Sequence, residues 1–263
     1  MINRIVNKPP LYLTESEYDM QNNGASSTAT ELRIKTYWDK RSVEFSRVRR
    51  QELTGSDAGL WKKFLSRLLP SPKAGGVLDV GTGAGFFPVL LAELGYKVTG
   101  IDLSAGMIRE AEQNLSRYGY RAELKQMNAQ ALDFPSGNFA AVISRNLMWT
   151  LPDAMQAYKE WNRVLQGGGV LLNVDSDYGE VKFSGSADPK NVHSRIDAEL
   201  IAECNDIKDS LRISTHRRPL WDAEFLRRIG MKVTVYENIA AEVHSDADLV
   251  YDNMPLFAVY AIK

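Results

Sequence analysis

Short apolar segments alternate with amphipathic segments of helical period along most of the chain. The strand-like segments span residues 76–80, 97–101, 121–127, 140–144, 170–174, 232–236 and 256–262. The amphipathic segments between them span residues 86–94, 104–118, 152–164 and 221–230. Such a repeat buries its apolar faces when helices cover both sides of a parallel sheet. The pattern therefore predicts a Rossmann-like, doubly wound α/β fold with a seven-stranded, mostly parallel sheet.

Two helices are predicted before the first strand. The polar cluster at residues 22–28 is typical of a loop, and apolar residues of helical spacing follow at 31–51 and 59–69. Pro70 and Pro72 are expected to end the second of these helices.

A polar stretch at about residues 175–220 interrupts the strand–helix repeat. It contains one amphipathic segment, residues 192–208, for which we predict a helix. This stretch is therefore expected to be an insertion between the fifth strand and the next helix.

Composition excludes several classes of function. The 32 Lys and Arg residues balance 33 Asp and Glu residues, which gives no general electrostatic basis for binding nucleic acid. The single cysteine, Cys204, excludes an intramolecular disulfide and a cysteine-based zinc site. No apolar run is long enough to span a membrane, and the first residues lack the apolar core of a secretory signal. We expect a cytoplasmic protein without a membrane partner.

The most informative segment is a strand that leads directly into a glycine-rich turn and a helix. Glycine stands at every second position of the turn, at 81, 83 and 85, where a ligand can approach the bare backbone. Asp102 follows Gly81 by 21 positions, at the end of the second strand. A carboxylate there lies beside the turn and can accept hydrogen bonds from a ribose diol.

These residues resemble motif I of the class I S-adenosylmethionine-dependent methyltransferases, small-molecule type. Asp79 stands two residues before the first glycine, and Phe86 replaces the glycine of a dinucleotide fingerprint. Residues 102–107 resemble the family's D-x-S-x-x-M segment, in which Met107 flanks the adenine. Residues 128–129, 139–144 and 165–171 resemble three further family segments.

The resemblance implies S-adenosylmethionine as the cofactor and S-adenosylhomocysteine as its product. It also implies a lid on the first helix, because Tyr37-Trp38-Asp39 resembles an N-terminal motif of the family. Arg145 is expected to pair with the methionine carboxylate of the cofactor. The expected cofactor-binding residues are Tyr37, Trp38, Asp79, Gly81, Thr82, Gly83, Gly85, Phe86, Asp102, Leu103, Met107, Asn128, Ala129, Gln130, Arg145 and Asn146.

The family also suggests how the chain is divided. Residues 1–70 are expected to form an N-terminal helical lid segment, and residues 71–263 the cofactor-binding core. The insertion at about 175–220 is expected to be the substrate cap.

Substrate contacts are expected where the fourth and fifth strands end, and on the cap. Aromatic side chains at the strand ends can wall the substrate or lie over the sulfonium through cation–π attraction. The expected substrate-binding residues are Trp149, Asp175, Tyr178, His193 and Arg217. The candidate catalytic residues are His216, as a general base, and Tyr178. No metal site is expected.

The resulting hypothesis is methyl transfer to a nitrogen or oxygen of a small-molecule metabolite by a monomer or homodimer. An RNA or protein methyltransferase and a non-catalytic binding protein for S-adenosylmethionine are the alternatives. An NAD-dependent oxidoreductase shares the sheet, but Phe86 argues against it. No nucleic-acid partner is expected.

Overall fold

One seven-stranded sheet organises the molecule. The computed structural model describes residues 24–251 and 254–263. The strand order is β3-β2-β1-β4-β5-β7-β6, and only β7 runs antiparallel to its neighbours. The strands are β1 (Val77–Val80), β2 (Val98–Asp102), β3 (Glu123–Gln126), β4 (Phe139–Arg145), β5 (Leu165–Ser176), β6 (Lys232–Tyr236) and β7 (Leu256–Ile262). The predicted α/β fold is confirmed.

Helices cover both faces of this sheet. The α-helices among the described residues are α1 (Gly24–Thr54), α2 (Asp57–Leu68), α3 (Phe86–Glu93), α4 (Ala105–Arg117), α5 (Ala154–Val164), α6 (Ala198–Ser210), α7 (Leu220–Arg228) and α8 (Ala240–Val243). None of these helices combines the length and the apolar character that a membrane span requires.

The core consists of two apolar layers, one on each face of the sheet. Because side chains alternate along a strand, Val142 of β4 belongs to one layer and Ile143 to the other. Trp161 of α5 is fully buried in the first layer, and Trp61 of α2 is fully buried in the second. This double covering explains why the central strands read as continuous apolar runs.

Helix α1 is tied to two other elements by side-chain contacts. Arg33 forms an ion pair with Glu203 of α6, with Nε and Oε1 2.7 Å apart. Ser46 accepts a hydrogen bond from Asn114 Nδ2 of α4 at 3.0 Å. These contacts hold α1 between the cap and the helix that follows Asp102.

Three local predictions need correction or lie outside the structure. Residues 24–28 belong to α1 and do not form the predicted loop, because this first part of the helix continues into the segment that packs on α6. Residues 1–23 lie outside the described residues. The fifth strand begins at Leu165 and not at residue 170, so the glycines at 167–169 lie inside β5, where its pairing with β4 is shifted.

Candidate functional site

A cavity of about 260 Å³ opens where β1, β2 and β4 end, beneath α1. Strand β1 has β2 on one side and β4 on the other, so the order of strands reverses at this point. Open α/β sheets bind ligands at such a reversal. The cavity wall includes Gly81 after β1, Asp102 at the end of β2, and Asn146 after β4.

The glycine turn forms one wall of this cavity. Gly81 and Gly83 have φ angles of 70° and 52°, which a side chain would strain. A Cβ atom on Gly83 would lie 3.1 Å from Cε1 of Phe45, a residue of α1. Helix α1 therefore packs directly on bare backbone at the turn, and the glycines leave room for this approach.

Asp102 is oriented at the cavity wall by backbone amides. Its Oδ2 accepts a hydrogen bond from Gly83 N at 2.9 Å, and its Oδ1 accepts one from Ser104 N at 2.9 Å. Burial raises the pKa of Asp102 to about 6, although both amides act in the opposite direction. Because each oxygen has a further lone pair, the fixed carboxylate can still accept hydrogen bonds from a ligand.

Asp79 lies below the turn and is almost completely buried. Its Oδ2 accepts a hydrogen bond from Thr82 Oγ1 at 2.6 Å. Burial raises the pKa of Asp79 to about 7, the hydrogen bond from Thr82 lowers it, and the nearby carboxylate of Asp102 raises it further. The two carboxylates thus share one low-dielectric region at the strand ends.

A polar group on α1 completes the wall beyond β3. Glu31 Oε1 accepts hydrogen bonds from Asn128 Nδ2 at 3.0 Å and from Gln130 Nε2 at 2.7 Å. Asn128 Oδ1 in turn accepts from Gln130 N at 2.9 Å. All three side chains line the cavity, so α1 fixes the two amides that face it.

Arg145 and Asn146, at the end of β4, differ in the partners of their side chains. Asn146 has a φ angle of 54°, and its buried Oδ1 has no hydrogen-bond partner in the part of the chain that the structure describes. Arg145 donates from NH2 to Glu52 Oε1 at 2.7 Å, and both side chains are buried. Arg145 therefore has a carboxylate partner within the protein, which it shares with Arg49.

Aromatic rings enclose another part of the cavity. The ring centroid of Trp149 lies 5.3 Å from that of Tyr178 and 5.4 Å from that of Phe183. Trp38 of α1 closes the group, with its centroid 6.4 Å from that of Trp149. His193 of the cap also lines the cavity and lies next to Phe183, with ring centroids 6.1 Å apart.

Among the described residues, Glu52, Asp57 and His244 bring three potential metal-ligand atoms together. Glu52 already pairs with two arginines, since its Oε2 lies 2.8 Å from NH1 of Arg49 and its Oε1 bonds Arg145. Burial and the two arginines lower the pKa of His244 to about 4. A metal cation is electrostatically unfavourable beside two guanidiniums, and we assign no metal to these three residues.

Comparison with known proteins identifies the domain. Residues 78–173 match the family model described as Methyltransferase domain. Similar curated proteins include Bacillus subtilis YqeM, named as a methyltransferase (36% identity over 116 residues), and a demethylmenaquinone methyltransferase of Listeria monocytogenes (32% over 120 residues). These alignments cover 43% and 44% of this chain and 46% and 51% of the relatives.

Residues 78–173 of this chain are thus similar to methyltransferase domains. The chain matches about half the length of these curated relatives. The match covers the segment from β1 to β5, which contains the glycine turn, Asp102 and Asn128.

Solved structures support the fold over a longer part of the chain. A methyltransferase of Thermotoga maritima, described as a possible histamine N-methyltransferase, has a TM-score of 0.54 at 17% identity and covers 87% of this chain and 99% of its own. A phosphoethanolamine N-methyltransferase of Haemonchus contortus, solved with S-adenosylmethionine, also has a TM-score of 0.54 at 17% identity, with coverages of 82% and 60%. At this identity the likeness concerns the fold alone.

Most of the predicted site residues line this cavity. From the cofactor set these are Tyr37, Trp38, Asp79, Gly81, Thr82, Gly83, Phe86, Asp102, Leu103, Met107, Asn128, Ala129, Gln130, Arg145 and Asn146; from the substrate set they are Trp149, Tyr178 and His193.

Two members of the predicted cofactor set need correction. Gly85 lies outside the cavity, and its missing side chain allows close packing on α4, because a Cβ atom there would lie 3.1 Å from Cα of Ala111. Arg145 reaches the cavity wall, but its NH2 group donates to Glu52, so a cofactor carboxylate would compete with an internal partner.

Three predicted catalytic or substrate residues lie away from the cavity. His216 stacks on Trp221, with centroids 4.8 Å apart, and Arg217 is exposed. Asp175 is fully buried and its Oδ2 accepts a hydrogen bond from Arg218 NH1 at 2.8 Å. None of the three lines the cavity, so the structure gives their predicted roles no support. A polar sequence pattern does not distinguish an internal ion pair from a pair that binds substrate.

Glu31 and Arg41 of α1 were not predicted as site residues, and for Asp39 of the lid motif no contact was predicted. Glu31 and Arg41 line the cavity, and Asp39 contacts the start of α4. The spacing of Glu31, Ile34, Trp38 and Arg41 puts them on one face of the helix, which was the available signal. That signal does not tell which element the face meets.

Proposed function

We propose that this chain transfers a methyl group from S-adenosylmethionine to a nitrogen or oxygen of a small-molecule metabolite. The observation that carries the proposal is the carboxylate of Asp102, held by two backbone amides on the wall of the cavity beside Gly83. A ribose diol is the ligand group that suits a fixed carboxylate beside a glycine turn.

The residues present fit the cofactor along the cavity wall. We assign the ribose to Asp102 and the adenine edge to Asn128, between the apolar side chains of Leu103 and Met127. We assign the methionine end to the turn at Gly81 and to Asn146. The buried Oδ1 of Asn146 has no hydrogen-bond partner among the described residues and suits an ammonium donor.

The chemistry supplied by the bound cofactor is a methyl group on a positively charged sulfur. Held by Asp102, Asn128 and Asn146, the cofactor would supply this methyl group to a lone pair of the acceptor, with the thioether as leaving group and the acceptor's proton released to solvent. The contribution of the protein is alignment and exclusion of water. Helix α1 and the aromatic group of Trp38, Trp149 and Tyr178 cover the cavity and supply both.

The size and the cover of the cavity support a small acceptor. About 260 Å³ lies beneath α1 and the cap, and the chain has a formal charge of only -1, without the basic excess typical of nucleic-acid enzymes. The names of the curated relatives include demethylmenaquinone and phosphatidylethanolamine methyltransferases, which also favours an organic small-molecule acceptor.

Thermal unfolding with S-adenosylhomocysteine tests the cofactor assignment. At a ligand concentration of 100 times Kd we expect about 2.7 kcal/mol of stabilisation in the wild type. The variant Asp102→Ala should lose this stabilisation, and the matched control Asp133→Ala, an exposed aspartate outside the cavity, should retain it. Stabilisation by NAD alone, or unchanged binding in Asp102→Ala, would contradict the assignment.

A second measurement separates catalysis from binding. We expect label from methyl-tritiated S-adenosylmethionine to appear in low-molecular-weight products of a metabolite extract, and Asp102→Ala to abolish it. Tight cofactor binding without any labelled product would indicate a binding protein.

A further inference from the structure

The aromatic part of the cavity contains a buried cation without a carboxylate partner. Arg41 of α1 is only 6% exposed, and its side chain lines the cavity. Its buried Nε has no hydrogen-bond partner, and within the described residues Arg41 forms no ion pair with an acid. Since a buried guanidinium is costly without an anion, this side chain is arranged for a ligand.

The neighbours of Arg41 do not supply the missing anion. It lies beside the hydroxyl of Tyr37 and the thiol of Cys204 on α6, which also contact each other. Burial raises the pKa of the Tyr37 hydroxyl and of the Cys204 thiol, so both groups are neutral near pH 7. They add hydrogen-bonding capacity at this point but no negative charge.

The other two arginines on the cavity wall have a carboxylate partner. Arg49 and Arg145 both pair with Glu52. The acidic residues that line the cavity are Glu31, Asp79 and Asp102. Each of these carboxylates accepts hydrogen bonds from neighbouring protein groups. Among the described residues, Arg41 is thus the arginine of the cavity wall that has no carboxylate partner.

Flat rings stand next to this cation. Tyr37 and Trp38 are in edge contact, with centroids 5.0 Å apart, and Trp38 leads to the group of Trp149, Tyr178 and Phe183. Aromatic walls of this kind bind planar rings by offset or edge contacts. They also attract cations, but an ammonium placed directly beside Arg41 would be repelled by its guanidinium.

We propose that the methyl acceptor is a planar aromatic acid, with its ring against the group of Trp38, Trp149 and Tyr178 and its carboxylate on Arg41. This inference rests on the proposed function, since it assigns the acceptor to the same cavity. Arg41 then determines the preference for an acidic acceptor, because a guanidinium can form a bidentate, charge-assisted contact with a carboxylate.

Matched pairs of probes test the charge preference. The protein is first saturated with S-adenosylhomocysteine, and Kd is measured by tryptophan fluorescence for naphthalene carboxylate against naphthylmethylamine, and for protocatechuate against dihydroxybenzylamine. We expect each acid to bind at least about tenfold more tightly than its amine. Equal binding, tighter binding of the amine, or no binding of either acid would overturn the proposal.

Variants show whether Arg41 is responsible. Arg41→Gln should weaken binding of the acids about 30-fold or more and leave Kd for S-adenosylhomocysteine unchanged. Arg41→Lys should restore part of the affinity because it keeps the charge. Arg217→Gln, an exposed arginine outside the cavity, is the matched control and should behave as wild type.

The outcomes distinguish this inference from the proposed function. If S-adenosylhomocysteine does not bind the wild type, the proposed function fails. If it binds the wild type but Arg41→Gln loses it while keeping the acid preference, Arg41 contacts the cofactor and the inference about the substrate is wrong.

Discussion

Asp39 Oδ1 accepts a hydrogen bond from Ser104 Oγ at 2.6 Å and another from Gly106 N at 2.9 Å. A carboxylate of α1 thereby caps the N-terminus of α4, where the helix dipole favours negative charge. Ser104 is itself the N-cap of α4, because its Oγ accepts from Met107 N at 3.0 Å. The contact joins the proposed lid to a position two residues after Asp102.

Replacing Asp39 should therefore affect both stability and cofactor binding. We expect Asp39→Ala to lower the free energy of unfolding by about 1 kcal/mol, as for other N-terminal caps, and to weaken binding of S-adenosylhomocysteine because α1 is held less firmly. Urea unfolding and calorimetric titration measure the two effects. Glu44→Ala is the control, since Glu44 pairs only with Arg47 on the same helix. Equal behaviour of the two variants would show that the cap does not hold the lid.

The buried carboxylate of Asp79 predicts how stability depends on pH. Its pKa in the folded protein, about 7, lies above its ordinary value of 3.8. Between these values the folded state retains a proton that the unfolded state has lost, so this group favours folding most at the acidic end and less as the pH rises.

We expect Asp79→Asn to flatten this dependence. In urea unfolding of the ligand-free protein, the wild type should lose on the order of 1–3 kcal/mol relative to the variant between pH 4 and pH 7. The exposed Asp133→Asn is the control. Parallel pH profiles for wild type and Asp79→Asn would mean that Asp79 is ionised throughout this range.

Two adjacent arginines of the cap should differ strongly in their effect on folding. Arg218 is buried, donates from NH1 to Asp175 Oδ2 at 2.8 Å, and donates from Nε to Asp222 Oδ2 at 2.9 Å. Arg218→Ala leaves two buried carboxylates unpaired and should cost about 3–5 kcal/mol. Arg217→Ala should change the free energy of unfolding by less than about 0.5 kcal/mol, as is usual for exposed positions. Chemical denaturation measures both, and similar losses would contradict the assigned burial.

Some residues of the cavity wall could be predicted from the sequence, and others could not. The turn at Gly81 and Gly83, the acid at Asp102 and the amide at Asn128 all follow strands whose apolar runs are recognisable, and the ends of parallel strands necessarily meet. His216 and Asp175 were also predicted from the sequence, as a general base and as a substrate-binding residue. In the structure His216 stacks on Trp221, and Asp175 forms an internal ion pair with Arg218.

The sequence by itself determined the sheet, its two helical layers and the row of residues at the strand ends, because periodicity and glycine act locally. Tertiary structure alone decided which face of α1 covers the cavity. It therefore also decided that Glu31 supports Asn128 and that Arg41 lacks an acidic partner. The physical reason is that helix packing depends on the shapes of distant surfaces, and charge pairing depends on contacts between residues far apart in the chain.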